Sequence, residues 1–169
     1  MQLTLRSNHA MRLLMFCAMD TGRPIPVSRI ARACNVSEAH LAKIAHHLST
    51  LGFVQTLRGR GGGVRLAKAA AEINLGAVIR ATETGPLLTQ CGGVGPDACP
   101  LNPACRFRSI LEKALAAFLA VLDEFSLADL VDENPALRRA AGLAPRLGCA
   151  CPTALELAEA EKAMVYEFA

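Results

Sequence analysis

The chain has no tryptophan and only seven aromatic residues, six Phe and one Tyr, in 169 positions. Against its abundant Ala and Leu, that scarcity tilts the reading towards helices, and a mostly α fold is expected. No apolar run approaches the ~20 residues needed to cross a bilayer, so no membrane span is expected. A secretory signal is also missing: Leu13 to Met19 is apolar, but Arg12 and Asp20 bracket it and no small-residue cleavage site follows. A cytoplasmic location is the expectation, and there thiols stay reduced. The seven cysteines, an odd number, therefore read as metal ligands or redox groups before structural disulfides. Catalytic signatures are lacking too. None of the four His pairs with an acid or nucleophile in a recognisable motif, and neither a phosphate-binding Gly-Lys-Ser/Thr loop nor a dinucleotide fingerprint occurs. An enzyme is not expected.

What is present supports one good core plus an appendage, since 52% of residues are apolar and 20% charged. The net charge of +3 hides a division. Residues 1–84 hold eleven Lys and Arg against four Asp and Glu, and residues 85–169 hold seven against eleven. The first half is the one suited to a polyanion.

The stretch CGGVGPDACPLNPAC, Cys91 to Cys105, concentrates three thiols between glycines and prolines that deny the backbone a regular helix or strand. It reads as a loop suited to wrapping a soft metal centre, because thiolates favour zinc and iron–sulfur clusters over oxygen-seeking ions. Three thiolates leave one coordination position to another donor. Zinc stays open at this point, since three cysteines and one nitrogen can close a tetrahedral site.

Along the chain, residues 10–19 form an apolar helix, with Ser7 as its expected N-cap and Cys17 read as a small buried hydrophobe. Val27 to Leu51 shows two short amphipathic helices, with Cys34, Asn35 and Val36 as the turn. Ser37 caps the second helix, Leu41, Ile44, Ala45 and Leu48 repeat at core spacing, and Gly52 ends it. This is the spacing of a helix-turn-helix, whose second helix can enter a major groove. Its expected exposed face carries Ala39, His40, Lys43 and His47. Phe53 to Leu57 alternates as a strand, Val64 to Leu66 is a short partner, and RGRGGG lies between them. Arg58, Arg60 and Arg65 put cations on a thin ribbon that can reach phosphates or the minor groove.

Asn74 is the expected cap of a helix to about Thr84, with Ala77, Val78 and Ala81 facing inward. After Cys105, Ile110, Leu111, Leu115, Phe118, Leu119, Leu122 and Phe125 mark an apolar stripe wider than a lone surface helix needs. Such a helix wants a partner. Ser126 caps a short helix through Val131. In the tail, Cys149 and Cys151 form a C-x-C pair ahead of a helix expected from Thr153 to about Val165.

Four segments together carry a resemblance: SEAHLAKI at 37–44, LRGRGGGVRL at 57–66, the cysteine loop ending in NPACR, and FLAVLDEFSLADLVDEN at 118–134. They resemble the winged-helix iron–sulfur repressor family, over about residues 1–135 and in the family's order. The resemblance implies a mainly α fold with a small β-hairpin wing. The implied domains are a winged helix-turn-helix at 1–84, a cluster loop at 85–105 and a dimerisation helix with its short follower at 106–134. Residues 135–169 form an extension beyond the family pattern. It implies an iron–sulfur cluster on Cys91, Cys99 and Cys105, a 4Fe–4S centre ahead of 2Fe–2S, with zinc ranked below both. In nitric-oxide sensors of the family an N-terminal aspartate of the partner subunit supplies the fourth ligand. Asn8 stands at the matching position, and it and His9 are the candidates here. The resemblance further implies a homodimer on double-stranded operator DNA, contacted through Ser37, Ala39, His40, Lys43, Arg58, Arg60 and Arg65. Nitric oxide is the implied signal, with iron supply as the alternative. An electron-transfer protein using the same cluster is the reading from another class, and it leaves the wing and recognition helix unexplained.

Overall fold

Residues 3–20, 23–83 and 105–143 are described in a computed structural model of the chain. The loop cysteines Cys91 and Cys99, the pair Cys149 and Cys151, and the expected tail helix lie outside the described residues. The chain divides into a unit of Met1–Asp132 and a second of Glu133–Ala169.

Helix α1, Leu5–Met19, is the post around which the first unit packs. Ala10, Leu13, Leu14 and Cys17 follow the i, i+3, i+4, i+7 rule and are at most 2% exposed. The helix meets α3, α4, α6 and strand β2, defined below, which explains why it is apolar almost all round. Its start corrects the sequence expectation. Thr4 is the cap, its Oγ1 accepting from the Ser7 N–H, and Ser7 itself is fully buried inside the first turns. Two capping hydroxyls stand close together in TLRS, and the earlier one captures the helix end.

Helices α2, Val27–Ala33, and α3, Glu38–Thr50, form the expected pair. Asn35 turns the chain between them at φ +53, a conformation that short amide side chains tolerate. Ser37 caps α3 as expected, accepting from the His40 N–H at 3.2 Å. The far end closes as a Schellman motif: Gly52, at φ +75, donates to Ser49 and Phe53 donates to Leu48. Leu41, Ile44, Ala45 and Leu48 are buried.

Strands β1, Val54–Leu57, and β2, Gly63–Leu66, pair antiparallel with Val54 opposite Leu66 and Leu57 opposite Gly63. Ile25 adds a one-residue bridge on the other side of β2, its backbone exchanging hydrogen bonds with Val64. A Cβ at Gly63 would run into the Ile25 carbonyl, so this approach requires glycine.

A 3-10 turn at Ala70–Glu72 leads to α4, Leu75–Thr82, capped by Asn74 as expected. Val78 is buried as expected, but Leu75, Ile79 and Thr82 share the inward face with it, while Ala77 is exposed and Ala81 half-buried. The cap at Asn74 sets the helical phase, and larger side chains at 75 and 79 take the core. Helix α5, Arg106–Asp123, is followed by α6, Leu127–Val131. The Asp129 carboxylate accepts from the Ser126 N–H at 2.7 Å and so fastens the start of α6. The end of α5 is latched to α4. Arg80 grips Asp123 with both terminal guanidinium nitrogens, Nη1 and Nη2, Asn74 Nδ2 donates to the Asp123 carbonyl at 2.7 Å, and Leu75 N–H donates to the Phe125 carbonyl. Gly76 leaves room for that pair, since a Cβ there would collide with the Asp123 carboxylate. In the second unit, α7 spans Pro135–Ala140, with the Asn134 side chain accepting from Leu137 N–H.

Candidate nucleic-acid interface and cysteine centre

The buried residues of α3 leave a stripe opposite them at Ala39, Lys43, His46 and Thr50, four residues spaced three and four apart, all exposed. Ala39 and Lys43 were expected there. His46 was not singled out from the sequence, although its spacing from Lys43 is the signal that finds it. Ser37 and His40 are also exposed at the start of the helix. His47 is a correction: it is half-buried, its Nε2 lying 3.4 Å from the Ala81 carbonyl oxygen, because it flanks the stripe on the side where α4 packs. His40 flanks the stripe on the same side and meets α1. Its ring stands edge-to-face with that of His9, centroids 5.4 Å apart and planes at 83°. Two candidate residues assigned to different tasks are therefore in contact.

At the hairpin tip Gly59 and Gly61 adopt φ +95 and +80, and Arg58 and Arg60 are exposed beside them. Arg65 sits lower, on β2, where its Nε and Nη2 donate to Gln55 Oε1 at 3.2 and 3.0 Å across the strand pair. The tip arginines are thus carried on a glycine turn and Arg65 on a paired strand. Lys68 is a further exposed cation at the wing base, its Nζ 5.4 Å from the centroid of the Phe53 ring.

Of the three loop cysteines, Cys105 alone is described. It is a half-exposed free thiol at the N-cap of α5. Among the described residues no three His, Cys, Asp or Glu side chains converge as a metal site. The donor chemistry of the loop, three thiols ending at Cys105, fits an iron–sulfur cluster or zinc. Cys17 stays apart, as expected of a core residue: burial, with Asp20 beside it, pushes its pKa up to about 12. Burial also raises the Cys34 thiol, with Arg12 opposing. Asn8 is exposed, whereas His9 is half-buried and its Nδ1 has no hydrogen-bond partner among the described residues. Burial, then His40 and Arg12, lower its pKa.

The residues bordering the cysteine loop are tied to the start of α1. Thr82 Oγ1 donates to buried Ser7 Oγ at 2.8 Å, and Glu83 Oε1 accepts from the Thr4 N–H at 2.8 Å and from Thr4 Oγ1 at 3.1 Å. Burial alone would raise the Glu83 pKa, but hydrogen bonds from Ser7 and Thr4 outweigh it and hold the carboxyl below its ordinary value. Next to this knot an apolar hollow of about 430 Å³ opens between α1, α4 and α5, lined by Leu3, Met11, Met15, Ile79, Phe118 and Leu122. None of the α5 residues is buried, and Phe107 and Ile110 are each 59% exposed.

Residues 3–133 match the pattern of the family described as "Rrf2: Iron-dependent Transcriptional regulator". The chain belongs to the Rrf2 family. It is 46% identical over 139 residues to the HTH-type transcriptional regulator NsrR of Geobacillus kaustophilus, covering 82% of this chain and 95% of that protein. To the regulator of the same name from Bacillus subtilis it is 39% identical over 132 residues, covering 78% and 90%. Among solved structures, CymR, the global cysteine regulator of B. subtilis, superposes with a TM-score of 0.61 at 26% identity, covering 78% of this chain and 96% of that one. IscR of T. potens superposes at 0.64 and 24% identity, covering 82% and 91%, which supports the Rrf2 fold alone. Family and relatives are transcriptional regulators rather than enzymes, and the expected winged helix-turn-helix is the observed one. Among the described residues no helix is long and apolar enough to cross a membrane.

Proposed function

We propose that this Rrf2 regulator is a homodimeric, cluster-dependent repressor of the NsrR type, acting on operator DNA in the cytoplasm and responding to nitric oxide. The observation that carries the reading is the placement of Cys105. The three-thiol loop ends at the N-cap of a long helix whose apolar stripe is at most half-buried among the described residues, with Phe107 and Ile110 exposed. Whatever holds the loop thus bears directly on the element best suited to join two subunits. In a two-fold dimer the separation of the recognition helices must match half-sites one helical turn apart.

Cys91, Cys99 and Cys105 would hold an iron–sulfur cluster, which when bound supplies a centre whose thiolate ligands nitric oxide can displace. Asn8, exposed on α1, is the candidate to reach across to the partner's centre, while the His9 ring is engaged by His40. Ala39, Lys43 and His40 face the major groove, where Lys addresses guanine acceptors, and Ser37 anchors the helix start against a phosphate. Arg58 and Arg60 reach the minor groove and backbone from the wing tip, and Arg65 supports them from β2. Relatives of 46% and 39% identity named NsrR support this reading over others in the family.

Anaerobically purified protein should carry iron and sulfide, shift an operator duplex, and lose the shift when nitric oxide is added. An unchanged shift removes nitric oxide as the signal. Iron sensing is the second reading, favoured by Asn8: a neutral amide oxygen is a poorer iron ligand than a carboxylate, so that position yields iron readily. It predicts that chelation releases DNA at nitric oxide levels that leave binding intact.

A further inference from the structure

The contact between His9 and His40 is absorbed by neither the cluster reading nor the groove reading. We propose that His9 is a positioning residue for DNA reading, its ring bracing the His40 ring of the recognition helix in the orientation that addresses one base pair. The proposal rests on the assignment of His40 to the major groove made above.

An exposed His at the start of a helix has two side-chain torsions to settle, and a base edge tolerates few of the orientations they allow. His40 has its backbone N–H fixed by Ser37, but among the described residues its ring meets one aromatic neighbour, His9, at 5.4 Å and 83°. Edge-to-face pairs of this kind favour a defined mutual orientation. His9 in turn stands on a helix that cannot easily slide. One turn before it, Thr4 and Ser7 are bound to Glu83 and Thr82; one residue after it, Ala10 is fully buried, followed by Leu13 and Leu14. The buried Nδ1 of His9 has no hydrogen-bond partner among the described residues, so hydrogen bonding at that atom is not what orients the ring. Packing against His40 is therefore the interaction that an unreactive ring of similar shape would preserve. Bracing from α1 also gives base reading a mechanical link to the residues bordering the cysteine loop, since the same helix end is knotted to Thr82 and Glu83.

The test uses full-length, anaerobically purified protein. An operator is selected with wild-type protein from a randomised duplex library, and affinities are then measured for it, for each single base-pair substitution, and for a non-operator duplex. His40→Ala should flatten the preference at one position. His9→Ala should flatten the same position, by on the order of 3- to 10-fold, with non-operator affinity unchanged. The double variant should be no flatter than His40→Ala, and His9→Phe should keep the wild-type preference with iron content unchanged. Wild-type preferences at every position in His9→Ala, or effects of the two alanine variants that multiply, would overturn the proposal. So would equal loss in His9→Phe and His9→Ala together with loss of iron, which would make His9 a metal donor. A His40→Ala variant that keeps every preference removes His40 from the groove, and the proposal with it. Wild-type protein that selects no operator would instead refute the DNA-reading assignment above, a result seen before any variant is made.

Discussion

Two helices of similar apolar character meet opposite fates in this chain. In α1, eight of 15 residues are buried, and in α5, none of 18. The first is surrounded by α3, α4, α6 and β2; the second, in the same unit, is held mainly through contacts with α4 and the latch at Asp123. The difference shows that one unit completes its own core with α1 and leaves α5 with apolar surface to spare. Isolated exposed leucines are ordinary, but Phe107, Ile110, Val121 and Phe125, on or just after one helix, are exposed together among the described residues, the surface assigned above to the proposed homodimer.

The largest expected effect lies on the α1 side. Leu13→Ala removes a side chain that is 0% exposed and should cost about 2–5 kcal/mol in urea unfolding, at any protein concentration. On the α5 side, Ile110→Glu should scarcely move the unfolding midpoint of dilute protein. It should halve the mass seen in sedimentation and weaken operator binding by about tenfold or more, since one half-site contact is lost. The contrast breaks if Ile110→Glu unfolds the protein as Leu13→Ala does, or if it leaves the assembly intact.

A smaller effect is expected at the latch. The hydrogen bond from Arg80 holds the Asp123 carboxyl below its ordinary value. A carboxyl lowered by folding contributes stability that is present above its unfolded pKa and lost as pH falls through the lowered one. Acid titration of wild type against Asp123→Asn should show the two curves converging below the ordinary carboxylate range. Curves that stay parallel would mean the pair does nothing for α5. The smallest perturbation is chemical. With its thiol pushed up to about 12, Cys17 should resist iodoacetamide at pH 8 in folded, cluster-free protein while Cys105 is alkylated. Labelling of Cys17 before unfolding would show that α1 is not the closed element described.

Local signals in the sequence were reliable where a single turn decides the outcome. Ser37 and Asn74 cap the helices expected of them, Gly52 ends α3 with positive φ, and the core stripe of α3 falls on the residues its period names. They failed where two local solutions compete. Thr4 and Ser7 can both cap, and only burial against Thr82 shows that Ser7 belongs inside. Ala77 has a core-compatible side chain, yet Leu75 and Ile79 outweigh it once Asn74 sets the phase. His46 lies on the exposed stripe that its spacing from Lys43 names, whereas the half-burial of His47 beside it comes from the packing of α4.

The order of elements, the basic first half, the wing and the clustering of three thiols ahead of a long apolar helix follow from the sequence alone. They depend on residue type and spacing, which are properties of a short stretch of chain. Tertiary structure decided what touches what across long separations: Glu83 with Thr4, Asp123 with Arg80, and His9 with His40. Such pairs carry no periodic signal. They form because helices packed for apolar reasons bring together polar and aromatic side chains that the sequence keeps far apart.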